Sequence, residues 1–288
     1  MNNALTFLAL FALTLLISST GFAESHENPP EIKTVSLGEF QIHLLSEGDR
    51  PGKVEVLLNP NPENLAKYLP DGKYTSSVNA FLIVTPDKKI LVDTGLGKQL
   101  PNHLKKLAIA PEAIDIILLT HLHGDHIGGL VKDGQKSFPN AQIYLSQKEW
   151  DYWKDKNPAQ VLAHYDGQIT LYDPSHIDAE LVPLLEGITG IATYGHTPGH
   201  TSFLIESQHE QLLIWGDLTH AMAIQMPVPD QAVTYDLDPA QAIASRKAIL
   251  QFVTENNIPI AGAHIAYPGF GYTHTDDTTG GYHFSPIE

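Results

Sequence analysis

The chain runs to 288 residues with 42% apolar content and a net charge of −16, enough for one large domain or two small ones around a sizeable core. No basic cluster offsets the charge, which excludes a nucleic-acid or anionic-membrane surface and favours neutral or cationic small-molecule substrates. There is no cysteine, so disulfides, thiolate metal sites, a thiol nucleophile and a lipoprotein anchor are excluded.

The first element is an apolar run from Ala4 to Ile17, followed by Gly21 and Ala23 spaced as at a cleavage site. The run is too short to span a bilayer and reads as a secretory signal peptide over residues 1–23. Asn2 and Asn3 stand where Lys or Arg is usual, which keeps an uncleaved surface anchor as the rival. Export to the periplasm or the medium is expected, with no stable membrane insertion after cleavage. The remainder, residues 24–288, reads as one domain, because no linker divides it and no strict repeat is visible.

Glu24 to Glu31 is a polar, proline-containing start. Lys33–Leu37 and Phe40–Leu45 read as strands turned at Gly38, and Pro60-Asn61-Pro62 breaks the chain before a short helix, Glu63 to Tyr68. Asn79–Val84 and Lys89–Val92 read as a hairpin around Pro86-Asp87, leading to Asp93-Thr94-Gly95. Leu100, Leu104 and Leu107 give Gln99–Leu107 helical spacing, and the β-branched run Ile114–Leu119 reads as a buried strand. Gln142–Leu145 is a short strand, Gln147–Trp153 a helix and Pro158–Tyr165 another; Asp166–Leu185 has no clear period. Gly190–Tyr194 leads into a histidine-rich turn, with strands at Phe203–Glu206 and Gln211–Trp215. Asp238 as N-cap and Pro239 at the first helical position start a helix that runs to about Glu255. Ile258–Ala261 reads as the final strand, and from Tyr272 the tail is polar and rich in Gly and Thr.

The chemistry concentrates in Thr120-His121-Leu122-His123-Gly124-Asp125-His126-Ile127-Gly128-Gly129, on the turn after the buried strand. The chain has 15 histidines, but three of them with an acid inside six residues is not chance clustering. Neutral imidazole and carboxylate are first-row metal ligands, with zinc the default and manganese, iron or cobalt compatible. His121 and His123, two apart, point the same way in an extended turn and can share one ion. Asp125 and His126 point elsewhere, toward a second.

Three later stretches also end a strand in a ligand type: Gly195-His196-Thr197-Pro198-Gly199-His200-Thr201, Trp215-Gly216-Asp217, and Gly262-Ala263-His264. Ligand arithmetic assigns His121, His123 and His200 to one divalent ion and Asp125, His126 and His264 to the other. Asp217 bridges both. Asp93 is expected to orient a ligand from behind, and His196 to lie behind a ligand or serve structure alone.

In this order, Asp93-Thr94-Gly95, His121-x-His123-x-Asp125-His126, Thr197-Pro198-Gly199-His200, Gly216-Asp217 and His264 resemble the metallo-β-lactamase superfamily. The resemblance covers most of the chain after the signal peptide. It implies an α/β fold, an αββα four-layer sandwich of two mixed sheets with outer helices, and a metal site at one sheet edge. Within the superfamily, Ser77 to Leu82, Glu149 to Trp153, Gly195 to Thr201, Ala223-Ile224-Gln225 and Tyr267 to Gly271 are similar to the methyl parathion hydrolase and quorum-quenching lactonase group. Several β-lactamase classes use a cysteine that this chain lacks, and the cysteine-free class typically lacks the bridging aspartate. Many acyl-homoserine lactonases carry a tyrosine three residues after that aspartate; His220 stands there.

The resemblance implies a metal-dependent hydrolase of neutral esters, a lactonase or an organophosphate hydrolase, using a hydroxide held between two ions. Asp125, Asp217 and His220 are the expected catalytic residues, His220 as proton donor or oxyanion partner. Phe81, Trp150, Trp153, Tyr267, Phe270 and Tyr272 are expected to wall the substrate pocket. The alternatives are a β-lactamase-like hydrolase and a non-catalytic metal-binding protein. Homodimers are common among the relatives.

Overall fold

A computed structural model describes residues 31–287. The signal peptide expected over residues 1–23 and nearly all of the polar start lie outside the described residues. Among the described residues no helix is long and apolar enough to cross a membrane.

The strands are, in chain order, β1 Ile32–Leu37, β2 Phe40–Ser46, β3 Arg50–Lys53, β4 Lys73–Ser76, β5 Asn79–Val84, β6 Lys89–Val92, β7 Ile116–Leu118, β8 Val131–Lys132 and β9 Gln135–Lys136. They continue with β10 Gln142–Ser146, β11 Ile169–Tyr172, β12 Ile188–Ala192, β13 Thr201–Ser207, β14 Glu210–Ile214, β15 Ile260–Ala261, β16 Phe270–Asp276 and β17 Gly281–Pro286. The α-helices are α1 Pro62–Tyr68, α2 Leu100–Lys106, α3 Gly124–Ile127, α4 Gln147–Trp153, α5 Asn157–Leu162, α6 Met222–Gln225 and α7 Pro239–Glu255.

One seven-stranded sheet has the order β1-β2-β5-β6-β7-β10-β11, and a six-stranded sheet runs β12-β13-β14-β15-β16-β17. Both are mixed: β6, β7, β10 and β11 are parallel, as are β14 and β15, and the other pairs are antiparallel.

Period-two alternation divides the apolar side chains among three layers. Phe81, Ile83, Ile90 and Val92 face Phe203, Ile205, Leu212 and Ile214 in the core between the sheets. Their neighbours Leu82 and Leu91 point outward, onto Leu100, Leu104 and Leu162 of the helices. On the far side Leu204, Leu213 and Ile260 pack under Ile249, Leu250 and Val253 of α7. This is the expected αββα sandwich.

Local signals behave as read where they are self-contained. Ser146 caps α4 by accepting from Glu149 N–H, and Asp238 caps α7 by accepting from Gln241 N–H. The C-terminal reading is corrected: Ile260–Ala261 is not the last strand, and the polar tail folds into the β16–β17 hairpin. Tyr272 and Thr273 face Ser285 and Phe284 there, so edge-strand pairing overrides a weakly apolar sequence. The unassigned 166–185 stretch contains β11, which adds to the edge of the first sheet. A further two-stranded ribbon, β3–β4, was not legible in the sequence.

The ends of β6, β7, β12, β14 and β15 deliver Asp93, the His121–His126 loop, the Gly195–Thr201 loop, Asp217 and His264 to one place.

Candidate metal centre

Three overlapping donor sets converge there. His121, His123, His196 and Asp217 form one, Asp125, His126 and His264 another, and Asp217, His220 and His264 a third, with the ligand atoms of each set within 4.8 Å of one another. His123 Nδ1 lies 3.0 Å from His121 Nε2 and 3.0 Å from His196 Nε2. Asp217 touches all three sets: its Oδ2 is 3.2 Å from His196 Nε2 and 3.2 Å from His264 Nε2, and its Oδ1 is 3.1 Å from His126 Nε2. His126 Nε2 and Asp217 Oδ1 are buried and have no hydrogen-bond partner. Buried polar atoms without partners are costly. Converging imidazole nitrogens facing a carboxylate fit divalent cations, which satisfy these atoms together.

The nitrogen of each ring that faces away from the cluster is mostly pinned. Asp93 leaves β6 with φ 58°, a left-handed turn that aspartate tolerates better than most residues. Its Oδ1 accepts from Thr120 N–H at 2.9 Å, and its Oδ2 from Thr120 Oγ1 and from His126 Nδ1, both at 2.7 Å. His264 Nδ1 donates to the Ser77 carbonyl at 2.8 Å, and His196 Nδ1 to Asp236 Oδ1 at 3.1 Å. Asp236 in turn accepts from Val233 N–H and lies 3.9 Å from the buried Arg246 guanidinium. Such partners fix the tautomer and orient the metal-facing nitrogen.

His200, expected as a ligand, is not in the cluster. Its Nδ1 donates to Thr193 (2.8 Å to Oγ1), and its Nε2 accepts from Asp217 N–H at 3.0 Å. Both ring nitrogens are engaged, so His200 braces the Asp217 turn. The two histidines of Gly195–Thr201 therefore exchange their expected places, and His196 is the one that joins the donor set. Gly216 makes room for this brace: it has φ 57°, and a Cβ there would lie 2.7 Å from His200 Nε2.

The electrostatics follow from burial and the central carboxylate. Burial, with His196 and then His126 adding repulsion, lowers the His200 pKa to about 3. Burial and then His196 take His123 to about 4. Burial also opposes protonation of His196, but the carboxylates of Asp217 and Asp236 outweigh it and raise its pKa to about 9. Burial pushes Asp217 up, yet the surrounding imidazoles, His126 first, hold its carboxyl well below the usual range. A cation bound among these groups displaces the protons that Asp217 otherwise holds on its neighbours.

Sequence reasoning missed a staple beneath the ligands. Glu149 is fully buried on α4. Its carboxylate accepts from Leu122 N–H at 3.0 Å, Trp153 Nε1 at 2.7 Å, Thr197 Oγ1 at 2.7 Å and Gly199 N–H at 3.0 Å. Leu122 lies between His121 and His123, and Thr197 follows His196, so one side chain ties both ligand loops together.

A cavity of about 520 Å³ opens over the cluster. Its lining brings in His123, Asp125, His196, Asp217, His220 and His264 from the metal site, and Arg50, Tyr74 and Tyr235 from around it. His220 Nε2 is 3.2 Å from Asp217 Oδ2, and its ring stacks on His264 at 4.8 Å. Burial lowers its pKa to about 4, so the ring is neutral, and its Nδ1 has no partner among the described residues.

The chain matches the metallo-beta-lactamase superfamily over residues 74–264. It belongs to that superfamily. It is therefore a metallo-hydrolase by family. The dizinc quorum-quenching lactonase AidC, solved with a product bound, is 27% identical over 90% of this chain and 98% of its own, with a TM-score of 0.81. The hydrolase AbOPH is 28% identical over 91% and 99%, with a TM-score of 0.77. An N-acyl homoserine lactonase of a Bacillus species is 31% identical over 44% of this chain and 58% of its own length. The chain spans 28% of exodeoxyribonuclease WalJ of Streptococcus pneumoniae, to which it is 41% identical over that stretch, and up to 79% of the lactonase relatives it matches.

The expected aromatic wall is largely elsewhere. Phe81 and Phe270 meet edge to face, with centroids 6.0 Å apart, in the core between the sheets. Trp150 packs on the outer core; Trp153 does too, with its ring also edge-on to His123 at 5.8 Å. Tyr267 lines a neighbouring cavity of about 400 Å³ that shares His264, and Tyr272 a remote one. Tyr74 and Tyr235, the aromatics that line the cavity, carry no sequence signal.

Proposed function

We propose that this metallo-hydrolase holds two divalent ions, zinc by ligand chemistry, and hydrolyses ester-type substrates, a lactone in preference to a phosphotriester. The observation that carries the reading is that the donor sets meet around Asp217 in the lining of a cavity. His121, His123 and His196 would hold one ion and Asp125, His126 and His264 the other, with Asp217 in reach of both sets. Bound there, divalent ions supply Lewis acidity toward the electrophilic oxygen and lower the pKa of water.

The chain's own residues do the rest. Asp93, Asp236 and Ser77 fix the imidazoles, so no reorganisation accompanies reaction. Asp125, partly exposed where most of the other ligands are buried, is the carboxylate placed to take the proton of the attacking water and hand it to the departing oxygen. His220, neutral and open to the cavity, gives a hydrogen bond to the oxygen that gains charge. The relatives' lactone chemistry supports the preference. The β-lactamase reading is disfavoured by the shared aspartate, and a purely metal-binding role by the cavity over the site.

The test is a pair of catalytic efficiencies on zinc-loaded protein, for a long-chain acyl-homoserine lactone and for methyl parathion. We expect the lactone to lead by about a hundredfold, roughly 2.7 kcal/mol of transition-state discrimination. The same margin toward methyl parathion reassigns the enzyme, and absence of metal-dependent turnover refutes the hydrolytic role. Export is part of the proposal; mass spectrometry that finds Met1 on the mature protein excludes cleavage.

A further inference from the structure

The chain contains two arginines, Arg50 and Arg246. Arg246 is buried and donates to the carbonyls of Leu218, Pro229 and Gln231 behind the site. Arg50 lines the cavity. It sits on β3 opposite Ser76, and Gly52 sits opposite Tyr74. Strand alternation puts Arg50, Gly52, Tyr74 and Ser76 on one face of the ribbon, and all four line the cavity over the metal centre. Thr75, on the other face, lines the neighbouring cavity. Burial and then Tyr235 raise the Tyr74 pKa, against a lowering by the Arg50 guanidinium, to about 12.

Lys53, on the Thr75 face of the ribbon by the same alternation, also borders the cavity. Both cations are exposed, and neither side chain makes an ion pair with any described residue, whereas Arg246 does. In a chain of net charge −16, two unpaired cations bordering one cavity need a reason. The lining holds no carboxylate besides Asp125 and Asp217, and both belong to the metal cluster. With divalent cations bound, the cavity has no uncompensated negative charge. It is a local positive field in an acidic molecule, and such a field focuses anions whatever the net charge.

We propose that the substrate carries an anionic arm, a carboxylate or comparable oxyanion remote from the scissile ester, which Arg50 receives. This rests on the hydrolytic reading above and narrows it: the bulk charge favours neutral or cationic substrates, and the cavity favours the opposite. The guanidinium fork suits a carboxylate bidentately, and the Tyr74 ring beside it supplies an apolar wall for the connecting chain.

The experiment compares two esters on zinc-loaded, full-length protein: p-nitrophenyl valerate and mono-p-nitrophenyl glutarate, in which a carboxylate replaces the terminal methyl. The wild type should favour the glutarate in kcat/KM by about tenfold, as for a charge-assisted hydrogen bond, and the margin should shrink with added salt. Arg50→Gln should collapse the glutarate-to-valerate ratio toward one, and Arg50→Lys should keep part of it. Equal efficiencies in the wild type, or a ratio unmoved by Arg50→Gln, overturn the anionic-arm proposal while leaving the hydrolase intact. If neither ester nor the lactone is turned over with metal present, the hydrolytic reading falls and this proposal with it.

Discussion

Replacing Glu149 with alanine is the sharpest test of how the metal loops are held. The substitution removes an acceptor from four donors: Leu122 N–H, Gly199 N–H, Trp153 Nε1–H and Thr197 O–H. The threonine hydroxyl can turn elsewhere, but the three N–H groups cannot. A buried donor left without a partner costs about 1–3 kcal/mol, and water entering the space left behind recovers part of that. The net loss should be about 3–5 kcal/mol, or about 10 °C in melting temperature for a chain of this size. Glu149→Gln should fall between, because its amide oxygen still accepts from two donors while its NH₂ group opposes Gly199 N–H. Burial pushes the Glu149 carboxyl up. A folded pKa above the unfolded one stabilises the protein most below the ordinary glutamate range, and the contribution fades as pH rises through the folded value. Glu149→Gln should lack that slope. Urea denaturation of the metal-free protein between acid and neutral pH reads both effects. A loss under about 1 kcal/mol for the alanine variant would refute the staple and mean that the loops are positioned by other contacts.

The two histidines of Gly195–Thr201 should separate cleanly: His196→Ala lowers metal content measured by atomic absorption, whereas His200→Ala keeps metal but unfolds at lower denaturant. Asp93→Asn loses the acceptor that orients His126 and should weaken metal binding by about 10–100-fold, read by competition with a chromophoric chelator. Gly216→Ala forces a Cβ into a left-handed position 2.7 Å from His200 Nε2 and should cost about 2 kcal/mol or more; a neutral result in denaturant unfolding contradicts the described packing.

Much of the architecture was legible because the relevant signals are local. Ile114–Leu119 declares a buried strand by composition alone, and α7 announces its start through Asp238 and Pro239. The β16–β17 hairpin was not legible, since Thr273, His274 and Thr275 are strand residues only through their pairing with Tyr282, His283 and Phe284, while Phe270 and Gly271 alone reach β15. The β3–β4 ribbon failed for the same reason: Arg50-Pro51-Gly52-Lys53 carries no strand pattern of its own and becomes a strand by pairing with Lys73–Ser76. The choice between His196 and His200 lies beyond spacing, because both follow a strand and a tight turn. It is decided by Thr193 and the Asp217 backbone, which take both nitrogens of His200.

The ligand motif specifies chemistry, and other residues specify its geometry. Asp93 reaches His126 across 33 residues, Asp236 reaches His196 across 40, and Glu149 reaches Leu122 and Gly199 across 27 and 50. Each is a carboxylate buried where an unpaired charge would be prohibitive, so each is held by the same hydrogen bonds it supplies. None lies within the motif it supports, and only folding brings them together. A graft carrying Thr120–Gly129 and Gly195–Thr201 without these three acids would keep most of the donors and lose the fixed ring orientations. It should bind metal loosely, because an imidazole free to rotate loses the preorganisation that its carboxylate partner provides.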